Sequence, residues 1–212
     1  MRAALIDYGS GNIASAAKAL SRAAAETSGH EIIVTADPDM VRQSERIILP
    51  GVGAFADCMR GLRAVPGMVD ALNEGVIRGG KPILGICVGM QLMATAGREF
   101  GIHEGLNWIG GEVLPMLPSD PLLKIPHMGW NEIEMVQNHP LFAGLDANAN
   151  AYFVHSFEMK PANAAHLLAT TSYGGAVTAA IGRDNIVGTQ FHPEKSQAVG
   201  LKILGNFLNW KP

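Results

Sequence analysis

Ile83-Leu84-Gly85-Ile86-Cys87-Val88-Gly89-Met90-Gln91 decides the reading of this chain. Ile83 to Ile86 is a short apolar run with the composition of a buried strand. A helix is expected from Val88 to about Ala96. Cys87 stands between them in the pattern G-x-C-x-G, the cysteine counterpart of a nucleophile elbow. A side chain between strand and helix sits on a very sharp turn, and flanking glycines relieve the crowding there. The start of the helix then faces the sulfur and favours thiolate. The amide of Val88 is placed to meet a developing oxyanion. Taken by itself, the stretch also fits a buried structural cysteine packed among glycines. Cys58, on the Gly51 to Gly61 segment, has no such setting and reads as structural.

The same strand–helix grammar runs through the first half. Arg2 to Ile6, Ile32 to Thr35 and Arg46 to Leu49 read as strands. Asn12 to Ala25 carries Ile13, Ala16, Ala17 and Leu20 at helical spacing. Asp37-Pro38 opens a short helix as N-cap and first helical residue. Gly67 to Arg78 is an amphipathic stretch stopped by Gly79-Gly80. Strand–helix alternation argues for an α/β fold with a parallel core sheet. The second half differs: Gly111 to Met116, Trp130 to Met135, Tyr152 to Met159, Leu167 to Thr171, Ala176 to Ile181 and Ile186 to Gln190 are short and turn-bounded, as strands that are partly antiparallel. Ala198 to Trp210 closes the chain as a helix. The expectation is one domain over 1–212, with a mixed, mostly parallel central sheet flanked by helices.

Bulk properties narrow the function classes. Of 212 residues, 48% are hydrophobic, enough for a sizeable core, and the formal net charge of -3 speaks against a nucleic-acid surface. No stretch approaches the roughly 18 uninterrupted apolar residues of a membrane helix. The N-terminus does not read as a signal peptide. A cytoplasmic setting with free Cys58 and Cys87 is therefore expected, with no metal and no cofactor.

A cysteine nucleophile needs a base. Gln190-Phe191-His192-Pro193-Glu194-Lys195 follows an apolar strand. His192 and Glu194 are two apart, so in an extended segment they share a side. A carboxylate beside the imidazole can orient it and stabilise its charged form. The alternative is a surface turn with an incidental ion pair. Joined to the elbow, Cys87, His192 and Glu194 make a nucleophile, base and orienter.

These stretches resemble the class I, or triad, glutamine amidotransferases. Four more narrow the likeness to the glutaminase subunits of imidazole glycerol phosphate synthases: Asp7 to Asn12, Pro50 to Phe55, Pro126 to Asn131 and Tyr152 to Ser156. The resemblance implies hydrolysis of L-glutamine and delivery of ammonia to a (β/α)8-barrel cyclase subunit in histidine biosynthesis. It implies that Gly51, Val52, Gly53 and Val88 line an oxyanion hole, the first three after a peptide flip. Gln91, Glu99, Ser156 and Phe157 would bind the substrate, and Asn12, Trp130, Asn131 and Lys195 would face the cyclase. Asn12 also suits a helix N-cap, and Trp130 a packing residue. Val88 and Phe157 depart from the commoner leucine and tyrosine of the family. Competing readings are a glutaminase subunit of another biosynthetic amidotransferase, a cysteine peptidase on a related fold, and a regulatory scaffold without activity.

Overall fold

The structure, a computed structural model, describes residues 1–212. Fourteen strands and six α-helices follow in chain order. They begin β1 (Arg2–Ile6), α1 (Ile13–Thr27), β2 (Glu31–Thr35), α2 (Pro38–Gln43) and β3 (Arg46–Gly51). Next come α3 (Phe55–Ala64), α4 (Met68–Leu72), β4 (Ile83–Cys87), α5 (Val88–Gln91), β5 (Ala96–Gly97), β6 (His103–Glu104) and β7 (Gly111–Pro115). The chain ends with β8 (His127–Glu132), β9 (Glu134–Met135), β10 (Asn150–His155), β11 (Phe157–Pro161), β12 (Leu167–Ser172), β13 (Ala176–Arg183), β14 (Ile186–Thr189) and α6 (Gln197–Asn209).

An eight-stranded sheet with order β2-β1-β3-β4-β14-β13-β12-β9 forms the centre. Its first five strands are parallel and the last three pair antiparallel, as the sequence leads one to expect. Every residue of β3, β4 and β14 is buried, which explains their unbroken apolar runs: a parallel strand is covered on both faces. From β1 the chain steps to one side through α1, and from β2 back to the other through α2. Right-handed crossovers therefore put α1 and α2 on opposite faces. The contacts agree, since α1 packs on α6 whereas α2 packs on α4. The order reverses between β1 and β3, and α/β sheets bind ligands at such a point, beyond the carboxyl ends of the strands. One continuous cluster of 52 buried apolar residues fills both faces.

Local detail corrects several boundaries. The helix after Cys87 stops at Gln91 instead of reaching Ala96. The carbonyls that a longer helix would use, those of Leu92, Met93 and Ala94, accept from Leu106, Trp108, Ile109 and Asn107. Helix α3 has no expected counterpart: its N-cap, Ala54, makes no side-chain bond, and Gly61 dilutes the helical pattern. A Cβ on Gly61 would lie 3.1 Å from Tyr8 O, a tight approach that glycine relieves. The Gly67 to Arg78 stretch is α4 continued by a wide π turn, Asn73–Arg78. The expected strand from Tyr152 to Met159 breaks at Ser156, β10 pairing with β8 and β11 with β7. Trp130 to Met135 likewise splits between β8 and β9. Asp37 caps α2 as expected, its carboxylate accepting from Asp39 N at 2.9 Å.

Candidate active site

The carboxyl ends of β3, β4 and β14 meet at one cavity of about 590 Å³. Cys87 ends β4 with φ 54° and ψ −114°, a left-handed conformation rare for a side-chain-bearing residue. Such strain costs on the order of 1–3 kcal/mol and persists only where the surroundings enforce it. Here they do: a Cβ on Gly85 would lie 2.7 Å from Met90 N, and one on Gly89 would fall on Leu49 O. The glycines thus let α5 start directly against β3 and β4. The first amides of a helix have no partner within it, so the Val88 N–H is available to the cavity, which Val88 lines.

His192 follows β14 and is 2% exposed. Its Nδ1 bonds Glu194 Oε1 at 2.8 Å, both side chains being buried. Burial opposes the charged ring, but Cys87 and Glu194 on either side outweigh it and raise its pKa to about 10. Its Nε2 has no aligned hydrogen-bond partner. The sulfur is therefore near enough to favour the charge without forming a well-directed bond. Glu194 lies behind the ring and does not line the cavity.

The other expected residues separate into two groups. Val52, Gly53, Gln91, Glu99, Ser156 and Phe157 all line the cavity with Cys87 and His192. Glu99 Oε2 accepts from Phe55 N at 2.8 Å, which fixes the carboxylate at the start of α3. Gly51 lies beneath, paired in register with Cys87. Val52 N points at Ser10 Oγ, 3.4 Å away, and Val52 O accepts from Ser10 Oγ at 2.8 Å and Cys58 Sγ at 3.2 Å. The Val52 amide is thus turned toward Ser10 in this conformation, and Cys58 is a buried prop behind the strand.

Asn12 and Lys195 also line the cavity. Asn12 precedes α1, but its side chain makes no capping bond. Lys195 Nζ lies 5.5 Å from the centre of the Tyr152 ring, which meets Trp130 edge to face. Trp130 stands away from the cavity, 49% exposed beside Met128 at 62%. Asn131 departs from a simple outward role. Its Nδ2 bonds His127 Nε2 at 3.2 Å and Ser172 O at 2.9 Å. Sequence reasoning assigned no role to three buried groups, Gln190, His155 and His127. Gln190 Nε2 donates to Cys87 Sγ at 3.6 Å. His127 Nδ1 bonds His155 Nε2 at 3.0 Å, and burial pushes both rings down to about 4, so they are neutral. All three lie in the same short segments as His192, Trp130 and Ser156.

Comparison with known proteins shows the family. A family model described as glutamine amidotransferase class-I matches residues 4–210. The imidazole glycerol phosphate synthase subunit HisH of Brucella suis is 57% identical over 216 residues, covering 100% of both chains. That of Rhodospirillum rubrum is 56% identical over 214 residues, again covering 100% of both. A crystal structure described as a glutamine amidotransferase superposes with TM-score 0.70 at 16% identity, covering 93% of this chain and 94% of that one. A glutamine amidotransferase from Thermotoga maritima gives 0.62 at 16% identity, covering 92% of this chain and 76% of that one. At these identities the two structures speak for the fold alone. The chain belongs to the class I glutamine amidotransferase family, within the HisH subunits of imidazole glycerol phosphate synthase.

Proposed function

We propose that the chain is a cytoplasmic, single-domain glutaminase that hydrolyses L-glutamine at Cys87. The ammonia passes to a (β/α)8-barrel cyclase subunit, which makes imidazole glycerol phosphate and aminoimidazole carboxamide ribotide. One observation carries the chemistry: Cys87, His192, Gln91 and Glu99 open onto a single cavity sized for a small molecule. The Cys87 thiolate attacks the side-chain amide carbon of glutamine. The oxyanion is met by the Val88 amide and, after rotation of its peptide, by the Val52 amide. The charged His192 ring protonates the departing nitrogen, the C–N bond breaks, and a thioester and ammonia remain. The now neutral ring takes a proton from water, whose oxygen attacks the thioester carbon. Glutamate leaves and the thiolate–imidazolium pair is restored. Glu194 holds the ring and its charge throughout.

Glu99 supplies a carboxylate for the substrate ammonium, and the break at Ser156-Phe157 supplies main chain for its carboxylate. A free amino acid suits this set better than a peptide would. The exposed Trp130 and Met128, with Tyr152 and Lys195 adjoining, form the face for the cyclase; buried aromatic anchors are the usual hot spots of such contacts. Asn12 and Lys195 lie where that face meets the cavity.

The test is glutamate release by the purified chain, alone and with a nucleotide-loaded cyclase subunit. Low release alone and a sharp rise in the complex are expected. High release unchanged by the cyclase would move the chain to another pathway. Cys87→Ala should lower glutamine-dependent turnover by at least about 10⁴-fold, while free ammonia still supports the cyclase. A retained glutaminase rate in that variant would remove Cys87 from the chemistry.

A further inference from the structure

Beside the triad runs a second set of buried polar groups that the hydrolysis does not consume. Gln91 Nε2 donates to Phe157 O at 3.1 Å and to Gln190 Oε1 at 3.0 Å. Gln190 Nε2 then reaches Cys87 Sγ at 3.6 Å. On the far side of the same carbonyl, His155 Nδ1 bonds Phe157 O at 2.9 Å.

The direction of each bond follows from the ends. A carbonyl oxygen only accepts. Phe157 O therefore fixes Gln91 with its amide nitrogen inward, and that nitrogen can only donate to Gln190. The Gln190 oxygen is thereby committed, and its nitrogen is left facing the sulfur as a donor. The amide cannot turn over without setting donor against donor at Gln91. His155, neutral and donating through Nδ1, must accept at Nε2 from His127, whose own Nε2 accepts from Asn131. Asn131 is oriented in turn by Ser172 O. Two main-chain carbonyls thus polarise the whole chain of side chains.

Gln190 is 0% exposed. Burying an amide is unfavourable unless its atoms are bonded, and an apolar residue of similar size would pack there without that cost. A neutral thiol is a weak acceptor, whereas a thiolate is a strong one. A donor held on the sulfur therefore favours the charged form and sets its direction.

We propose that Gln190 is a positioning residue for the nucleophile: its amide N–H, aimed by Gln91 and the Phe157 carbonyl, holds the Cys87 sulfur as an oriented thiolate. This rests on the reading of Cys87 as the nucleophile. Gln190 does not line the cavity and acts through the sulfur.

The experiment is the pH dependence of Cys87 alkylation by iodoacetamide in the purified chain. Mass spectrometry separates labelling at Cys87 from labelling at Cys58, and thermal unfolding controls for the fold. Gln190→Leu removes donor and acceptor at similar volume. Gln190→Glu keeps the acceptor for Gln91 but replaces the donor with a carboxylate. At neutral pH, Cys87 labelling is expected to slow by about tenfold in Gln190→Leu and by more in Gln190→Glu. For glutamine, kcat should fall in Gln190→Leu with KM little changed. Gln190→Met replaces the leucine variant if the latter does not fold. Folded variants whose profile overlays that of the parent would overturn the inference and leave the nucleophile standing. If Cys87 in the parent is alkylated no faster than Cys58 at neutral pH, the nucleophile reading falls and takes the inference with it.

Discussion

At the elbow, a Cβ on Gly89 would fall on Leu49 O, and one on Gly85 would lie 2.7 Å from Met90 N. At Gly53, on the neighbouring wall of the cavity, nothing lies within 4 Å of a Cβ, and only the φ of +95° asks for glycine. Glycines in both places look alike in the sequence. The first two exist because backbone passes against backbone, and they hold Cys87 in a conformation it would otherwise leave. The third exists because the backbone takes a left-handed conformation in open space. Cys87, the proposed nucleophile, is thus fixed by packing, whereas the Val52 segment, proposed to complete the oxyanion hole, is held by the Ser10 and Cys58 bonds to Val52. A catalyst can be gated at the second wall without disturbing the first.

The sharpest way to break this contrast is Gly89→Ala. The added methyl must displace β3 main chain, so a loss of at least about 4 kcal/mol, or no folded protein, is expected in chemical denaturation. A stable, folded Gly89→Ala chain would mean that the elbow has slack. Next in size is Glu194→Gln. It keeps the shape behind His192 but removes the charge that helps hold the ring protonated. Glutaminase kcat should fall by about 10²–10³-fold, or about 3–4 kcal/mol, with KM little affected. An unchanged kcat would make Glu194 a packing residue.

Acid and alkali should unfold the molecule from different sides. His192 has a folded pKa of about 10, above the usual 6.5. Its contribution is full below 6.5 and is lost as pH rises through 10. His127 and His155 are depressed from 6.5 to about 4. Between those values the unfolded chain binds more protons, so stability falls as pH drops from 6.5 to 4. Thermal midpoints over pH 4–10 should therefore be highest near neutrality. His155→Gln should flatten the acid limb and Cys87→Ala the alkaline limb. An acid limb untouched by His155→Gln would place its origin elsewhere.

The same contrast explains what was legible in the sequence. The elbow is local: Gly85, Cys87 and Gly89 are contiguous in one short stretch, and the strand–turn–helix that they serve is written in the residues on either side. The parallel strands were equally plain, because burial on both faces leaves unbroken apolar runs such as Ile47-Ile48-Leu49. The extent of α5 was not legible, since residues 105–109 take the carbonyls that would have continued it. Nor was the role of Gln190, whose partners Gln91 and Cys87 lie 99 and 103 positions away in the chain. Asn131 belongs to a motif legible in the sequence, but its inward turn onto His127 depends on β12 supplying Ser172 O. Chemistry built from neighbours in sequence can be read there, and chemistry built from long-range hydrogen bonds needs the fold.

The smallest expected effect is the most discriminating. Gly53→Ala meets no atom, so its only direct cost is the left-handed φ, about 1 kcal/mol and a fall of about 2–4 °C in the thermal midpoint. The two walls then differ by several kcal/mol for the same chemical change. Its effect on turnover should exceed its effect on stability, because alanine narrows the conformations through which the Gly51–Val52 peptide has to rotate. If the proposed rotation serves the cyclase complex, glutamate release should fall mainly in that complex and little in the isolated chain. Equal loss in both would mean that the strand does not move between them. A loss of stability as large as that of Gly89→Ala would mean that this wall too is set by packing, and that the gate lies elsewhere in the cavity.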